Sequence, residues 1–188
     1  EIRPRDWSSD VCSSDLNIAY ASYPGGAGGS RDGAMAEWCG NGATLVGNSP
    51  KDPTRIAEIR DGTSNTILLA ERVGFPNVYG KGGVIFATPS SPAPLNDLAK
   101  ANGGGWGDLL GPDMWIIGSL TTGPTLPDNG GPCAINCSSL KPDGFFSFHP
   151  GGVHTLLADA SVRFVSETTD AFVIASAITK GKGETFSW

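Results

Sequence analysis

The chain has 188 residues, of which 13 are Lys or Arg and 19 are Asp or Glu, so its net charge is −6 at pH 7. An acidic chain of this kind lacks the electrostatic footprint of a nucleic-acid-binding protein. With 27 Gly and 14 Pro, the composition favours a turn-rich, β-containing extracellular protein over a helical one, and no apolar window approaches the ~18 residues of a membrane-spanning helix.

The beginning of the chain differs in character from the rest. Residues 6–16 resemble a translated sequencing adapter rather than a targeting segment; they read Asp6-Trp7-Ser8-Ser9-Asp10-Val11-Cys12-Ser13-Ser14-Asp15-Leu16. We therefore expect residues 1–16 to be non-native and residues 17–188 to form one globular domain, a size that buries about two thirds of its unfolded surface. The native N-terminus, with any export signal or membrane helix, is then expected to be missing.

Three short elements are predicted in the first part of the remaining chain. Alternating apolar residues predict a strand over Asn17–Tyr23, followed by the glycine-rich loop Pro24–Ser30. This loop is not a phosphate cradle, because it lacks a Gly-Lys-Ser/Thr ending and no helical pattern follows it. Further along, the pattern predicts a helical turn over Thr54–Ile59 and a strand over Thr66–Ala70, separated by a turn at Asp61-Gly62.

The turn before the second strand is unusually polar. Its short side chains, which tend to bond nearby backbone, belong to Asp61, Thr63, Ser64 and Asn65. We interpret the segment as a polar turn that directs a core strand. The alternative is a ligand site built from Asp61, Asn65 and Glu71.

The middle of the chain is harder to interpret. Another strand is predicted over Gly82–Ala87 and a loop over Pro89–Pro92, whereas Ala101–Leu140 reads as a long irregular region of the kind that is usually functional or inserted. Within it, Trp106 and Trp115 either cover the core or face a partner, and covering the core is the interpretation we adopt.

Three cysteines remain outside the expected non-native segment. The spacing of Cys133 and Cys137, in a Pro/Gly/Ser-rich loop, allows a small disulfide ring in an oxidising compartment. Alternatively, Cys39 pairs with one of them or with a lost cysteine, or it stays free. No second Cys/His pair stands at zinc spacing, so no metal site is expected.

The C-terminal part has the clearest pattern of secondary structure. Pro150-Gly151-Gly152 forms a turn that holds the preceding His149 in an extended conformation at a strand end. A hairpin is predicted from strands over Val153–Ala158 and Val162–Ser166, and a short helix over Ala171–Thr179 that begins after the capping candidates Thr168-Thr169-Asp170.

The two histidines and Asp159 are interpreted structurally. A straight strand separates His149 from Asp159 by roughly 20 Å, so the two are not expected to act as a pair. We predict that His149 bonds a neighbouring loop and that Asp159 caps its own turn. His154 shares one strand face with Leu156 and Ala158, where a satisfied, half-buried histidine is expected rather than a ligand.

Two segments resemble one known family, in the right order. They are Arg55–Glu71 and Phe148–Phe164, and they resemble the DUF1559 family, prepilin-like proteins of planctomycetes and relatives whose last domain is named for a His, nine residues and Asp-Gly. Here that motif occupies residues 149–160, with Ala160 in place of Gly. If the turn is unchanged, Ala160 costs on the order of 1 kcal/mol because the family's Gly supplies a positive φ.

The resemblance implies a fold and a cellular role. The implied fold is α+β: a β-rich, pilin- or pseudopilin-like globular domain with an antiparallel sheet, a C-terminal β-hairpin, a short C-terminal helix and long Gly/Pro-rich loops. The implied protein is exported to the cell envelope or beyond it, as a subunit of a pilus-like or type II secretion-like assembly. Its partners would be other pilin-like subunits or envelope proteins, and the membrane through the missing N-terminal helix.

Other functions are weighed against this one. No Gly-x-Ser-x-Gly, no His-Glu-x-x-His and no metal quartet is present, so no enzyme is expected. The main alternative is a secreted or periplasmic binding module for a sugar, a peptide or another small ligand, since the family has also been labelled solute-binding. No cofactor is expected; the alternative is a structural calcium in an Asp/Asn-rich loop such as Asp128-Asn129, as occurs in pseudopilin-like proteins.

Overall fold

The computed structural model describes residues 16–21, 56–102, 113–116, 118–124, 131–140, 143–179, 181, 183 and 186–188. These residues form strands, two α-helices and two single 3-10 turns. The strands are β1 Leu16–Ala21, β2 Ile67–Glu71, β3 Val78–Gly80, β4 Val84–Ala87, β5 Asp113–Ile116, β6 Gly152–Leu157 and β7 Val162–Ser166. The helices are α1 Leu95–Ala101 and α2 Ala171–Ile178, and the 3-10 turns are Ile56–Glu58 and Lys81–Gly83.

Five strands form the main sheet, in the order β5-β1-β2-β6-β7. Neighbouring strands run antiparallel except β1 and β5, which pair in parallel. The two remaining strands, β3 and β4, form a separate antiparallel pair. The predicted α+β class, with an antiparallel sheet, a C-terminal hairpin and a short C-terminal helix, is confirmed.

Helix α2 covers one face of the main sheet. Asp170 begins it, because its carboxylate accepts a hydrogen bond from the backbone N–H of Phe172 at 2.8 Å, an N-cap that typically contributes about 1 kcal/mol. Residues of the strands and of the loop segments at Ala134 and Phe145 supply the other side of this core. The cluster consists of Ile67, Ala70, Ile116, Ala134, Ile135, Phe145, Val153, Leu157, Val165, Ile174, Ala177 and Ile178.

A second, smaller core lies beside the β3–β4 pair. Helix α1 carries Leu95, Leu98 and Ala99 at the spacing that places them on one face. They pack against Val78, Ala87 and Leu140. The smaller core therefore fixes the β3–β4 pair.

Several predicted elements are confirmed and three were missed. The strands β1, β2, β6 and β7 and the helix α2 lie where the pattern placed them, apart from their end residues. The predicted strand over 82–87 is shorter, because Gly82 and Gly83 adopt positive φ angles of 74° and 75° in a 3-10 turn. The missed elements are β3, α1 and β5.

The disulfide between Cys133 and Cys137 is also confirmed. The two cysteines enclose Asn136, which has a left-handed φ of 57°. Among the described residues, no helix has the length and apolarity needed to cross a membrane.

Ala160 adopts the positive φ that the family motif assigns to glycine, at 68°. We predict that Ala160→Gly stabilises the protein by about 0.5–1 kcal/mol. Left-handed backbone costs an L-residue roughly 1–2 kcal/mol, which the substitution removes. The greater freedom of glycine in the unfolded chain offsets about 0.4–1 kcal/mol of this gain. Urea unfolding should show a higher midpoint at an unchanged slope.

The control for this substitution is Ala101→Gly, at an exposed helical position. It should lower the stability by up to about 1 kcal/mol, because glycine is unfavourable there. Equal effects of the two substitutions would contradict the strain at Ala160.

Candidate functional site

Glu71 and His154 face the same side of the main sheet. Ala70 pairs with Thr155 across β2 and β6, and both are buried on the side of the core. Because side chains alternate along a strand, the next residue of β2 and the preceding residue of β6 point to the opposite side. Glu71 and His154 are thereby placed as cross-strand neighbours on the face away from α2.

The contact between these two residues fixes the carboxylate. The backbone N–H of His154 donates a hydrogen bond of 2.8 Å to Oε2 of Glu71. The other carboxylate oxygen, Oε1, lies 3.4 Å from Nδ1 of the His154 ring. One oxygen of Glu71 is thus held by the backbone, and the other faces the imidazole.

His149 reaches the same oxygen from the loop before β6. That loop runs beside the end of β2, where the N–H of Phe146 donates to the carbonyl of Glu71 at 3.0 Å and the N–H of Val73 donates to the carbonyl of Phe146 at 3.1 Å. This pairing places the residues that follow Phe146 beside Glu71. Nε2 of His149 then lies 3.3 Å from Oε1 of Glu71, instead of bonding a neighbouring loop as predicted.

Asn136 ties the loop that carries His149 to β6. Its Oδ1 accepts from the N–H of Ser147 at 2.8 Å, and its Nδ2 donates to the carbonyls of Gly152 at 3.2 Å and of His149 at 3.5 Å. The hydroxyl of Ser147 donates to the same Gly152 carbonyl at 2.7 Å and accepts from the N–H of His149 at 3.1 Å. The backbone of His149 is therefore held on both sides.

Glu71, His149 and His154 form a compact cluster, which we call the Glu-His-His cluster. One ligand-type atom from each side chain lies within 4.8 Å of the others. The two imidazole rings meet edge to face at 4.9 Å, and the His154 ring packs against Phe164 of β7 at 5.1 Å. Phe164 pairs directly with His154 across β6 and β7, so the aromatic contact supports the ring from the side.

The cluster is buried on one side and open on the other. The Glu71 side chain is only 15% exposed, whereas those of His149 and His154 are 52% and 44% exposed. Within the described residues, the recorded ion pairs of Glu71 are those with the two imidazoles. A mostly buried carboxylate is costly unless charge or hydrogen bonds compensate it, and here the N–H of His154 and the two rings are the compensating groups.

A groove of about 190 Å³ adjoins the cluster at His149. This volume is below the 300–1,000 Å³ that is usual for sites that enclose a drug-sized ligand. The groove therefore accommodates a small group. Its lining residues are Gly82, Gly83, Asn136, Phe146, Ser147, Phe148, His149, Pro150, Gly151 and Glu167.

The polar turn before β2 lies at the other end of that strand from Glu71. Asn65 donates from Nδ2 to the carbonyl of Asp61 at 3.2 Å, and Thr66 donates to the carbonyl of Gly62 at 3.1 Å. These bonds close the turn locally, as the polar-turn interpretation predicted. Asp61 and Asn65 are not brought together with Glu71, and Thr63 contributes a carbonyl that accepts from the N–H of Asp159.

Asp159 caps its own turn, as predicted. Its Oδ1 accepts from the Ser161 hydroxyl at 2.6 Å and from the Ser161 N–H at 2.9 Å. These hydrogen bonds, first that of the hydroxyl and then that of the amide, lower the pKa of Asp159 below its ordinary value. The Asp of the motif serves the β6–β7 turn, while its His serves the cluster at the other end of β6.

Some predicted features lie outside the described residues. They are residues 1–15 of the expected non-native segment, the glycine-rich loop at 24–30, Cys39, Trp106 and the calcium candidate Asp128-Asn129. Trp115 is described through its backbone, which lies in β5.

Sequence reasoning named all three cluster residues but did not join them. Glu71 and His149 stand in the two family-like segments, and His154 was assigned to the correct strand face. The missing information was the pairing of the loop before β6 with the end of β2, which depends on contacts between residues about 75 positions apart.

Comparison with protein-family models identifies a family. A family model described as "Protein of unknown function (DUF1559)", with the short name SBP_bac_10, matches residues 6–171. No curated protein and no solved structure shows a significant match to the chain.

We predict that Asn136→Ala destabilises the protein by about 2–4 kcal/mol, because it leaves the buried N–H of Ser147 unpaired and removes two donors. The loss is measured by urea unfolding, and the signals of the two imidazole rings, the only two in the chain, should both shift.

The matched control is Asn77→Ala, which removes a single partly buried contact of 3.4 Å to the Tyr79 hydroxyl. It should cost under about 1 kcal/mol and leave the imidazole signals in place. A loss at Asn136 no larger than that at Asn77 would show that Asn136 does not hold the loop.

Proposed function

Because the chain belongs to the DUF1559 family, we propose that it is a non-enzymatic, exported subunit of a pilus-like or type II secretion-like assembly of the cell envelope. In this proposal the described domain is the globular part of the subunit. A second copy, or a related pilin-like subunit, packs against its surface.

The disulfide supports export. Disulfides persist in oxidising compartments and are rare where thiols are kept reduced. The Cys133–Cys137 bond closes the loop that positions Asn136 and, through it, the segment leading to His149. An oxidising location therefore suits the part of the molecule that builds the cluster.

Strand β4 is the observation that carries the assembly role. Its residues Val84, Ile85 and Phe86 are 67%, 56% and 37% exposed, so consecutive apolar side chains on both faces of the strand meet solvent. In the described part of the chain, β4 pairs only with β3, which leaves its outer edge open. Soluble monomers usually protect such edges with charge or proline, and β4 contains neither.

The apolar surface extends beyond the strand. Phe148, 58% exposed, lies beside Gly83, where an added Cβ would be 3.6 Å from its ring. We call Val84, Ile85, Phe86 and Phe148 the β4 patch. A surface that joins an open strand edge to exposed apolar side chains fits a second subunit, which covers the side chains and continues the sheet.

The second candidate is a secreted or periplasmic binding module, and the groove beside His149 favours it. The groove is lined by the aromatic residues Phe146 and Phe148 together with polar groups of the loop. Its small volume suits one residue of a peptide or one small group of a larger ligand, held partly in solvent.

We predict that Val84→Lys abolishes contacts between copies in the envelope. The chain, exported to the cell envelope of a host, should give a ladder of chemically cross-linked copies in the envelope fraction. A charge in the middle of the β4 patch should remove the ladder, because burying an unpaired ammonium is strongly unfavourable.

The matched control is Val162→Lys. Val162 is 66% exposed, as Val84 is at 67%, but it lies on β7, an edge strand that already carries Arg163. This variant should keep the ladder. A chain that stays monomeric in both variants and in the wild type, and that retains a small ligand through purification, would replace the assembly role with the binding module.

A further inference from the structure

We propose that the Glu-His-His cluster is a Zn²⁺ site, in which Oε1 of Glu71, Nε2 of His149 and Nδ1 of His154 are the protein ligands. The site goes beyond the proposed assembly role and does not depend on it. Cysteine and histidine spacing did not indicate a metal site, because one of its three ligands is a carboxylate from a strand far away in the sequence.

The spacing of the three atoms is the first reason. Ligands of Zn²⁺ lie about 2.0–2.2 Å from the ion, so two ligands of a tetrahedral site are about 3.4 Å apart. The Glu71 oxygen lies 3.3 Å from the His149 nitrogen and 3.4 Å from the His154 nitrogen. Charge-assisted hydrogen bonds between such groups are shorter, at about 2.7–2.9 Å. Both observed distances match the separation of two ligands on one zinc ion, and the two nitrogens lie within 4.8 Å of each other.

The ligand types are the second reason. Two imidazole nitrogens and one carboxylate oxygen are a set that Zn²⁺ uses in proteins, usually with one position left for water or another group. Calcium and magnesium prefer oxygen ligands, so this set selects a transition metal. The exposed sides of His149 and His154 leave room for the fourth ligand.

The support around the ligands is the third reason. Metal-binding side chains are normally oriented by a second set of hydrogen bonds. Oε2 of Glu71 accepts from the backbone N–H of His154, which fixes the plane of the carboxylate and directs Oε1 toward the imidazoles. Phe164 packs on the His154 ring, and Ser147 with Asn136 holds the backbone of His149. Each ligand is thereby restrained before an ion arrives.

A bound ion would also solve the electrostatic problem of Glu71. The carboxylate is mostly buried, and besides the backbone N–H of His154 it faces two imidazoles, which are cations only when protonated. A divalent cation supplies the positive charge without protonation of either ring. The fourth position faces solvent beside the groove, where a water molecule or an anionic group of a ligand or of a second subunit would complete the coordination.

The test is a calorimetric titration with zinc chloride of protein that carries no histidine tag. Cys12 and Cys39 are replaced by Ser throughout, because thiolates outside the disulfide bind zinc strongly. We expect one saturable site per chain, and both imidazole ring signals should shift together on binding, since the chain contains only two histidines. Calcium chloride should not compete.

Two variants test the ligands Glu71 and His149, and a third is their control. Glu71→Gln keeps an acceptor for the His154 N–H, and His149→Ala removes an exposed side chain, so both should fold, as judged by urea unfolding. Each should weaken zinc binding at least 10–100-fold. A loss of metal affinity of this size is usual even when a residue that hydrogen-bonds to a metal ligand is replaced. Asp97→Asn removes the same charge as Glu71→Gln from an exposed position on α1 and should bind zinc as the wild type does.

Two results would overturn the proposal. One is the absence of saturable zinc binding to the wild type. The other is binding that Glu71→Gln or His149→Ala weakens no more than Asp97→Asn does, since the ion would then lie elsewhere on the chain.

Discussion

The pairing of Phe146 with the end of β2 is the constraint on which the rest of the described structure depends. The N–H of Phe146 donates to the carbonyl of Glu71, and the N–H of Val73 donates to the carbonyl of Phe146. These two backbone hydrogen bonds continue the pairing of β2 beyond Glu71, its last residue. Phe146 and Arg72, which form a bridge, are both buried, and Arg72 donates to the carbonyl of Asn102 at the end of α1, which joins this end of the main sheet to the smaller core. Arg72 strengthens this junction by donating to the carbonyl of Ser139 and packing on Phe75. If the loop were released here, His149 would lose its position beside Glu71.

The local part of the fold was predictable from the sequence, and the non-local part was not. The β6–β7 hairpin and α2 were visible because alternation, turn residues and a capping Asp170 all lie within short windows. The strand β3 has only three residues, and α1 is a seven-residue helix whose apolar face has just three members, so neither gives a strong periodic pattern. The strand β5 pairs in parallel with β1, about 95 residues away, and such a pairing leaves no local trace.

The candidate site shows the same division. The sequence indicated Glu71 and His149 as members of family-like segments and placed His154 on the correct face of β6. It did not indicate that one carboxylate oxygen faces both rings, because that geometry requires the antiparallel register of β2 with β6 as well as the loop pairing at Phe146. Asn136 was also missed. Its role depends on a left-handed backbone conformation inside the disulfide loop. The sequence indicated that loop only through the spacing of its two cysteines.

His149 and Asp159, the two residues for which the family motif is named, have separate structural surroundings. The turn at Ala160 shows this for Asp159. The φ of 68° at Ala160 means that the β6–β7 turn keeps its shape without the glycine, at the cost of some backbone strain, while Asp159 continues to close the turn through Ser161. Asp159 and Ala160, at the turn end of the motif, therefore affect the stability of the β6–β7 turn. The histidine end cannot be explained in the same way, since the side chain of His149 is half exposed and contributes little to the core. What it does contribute is a nitrogen beside a buried carboxylate, at the edge of a groove and next to an exposed Phe148. A side chain whose backbone is held this firmly and that packs so little on its neighbours is available for the ligand role that we propose for it.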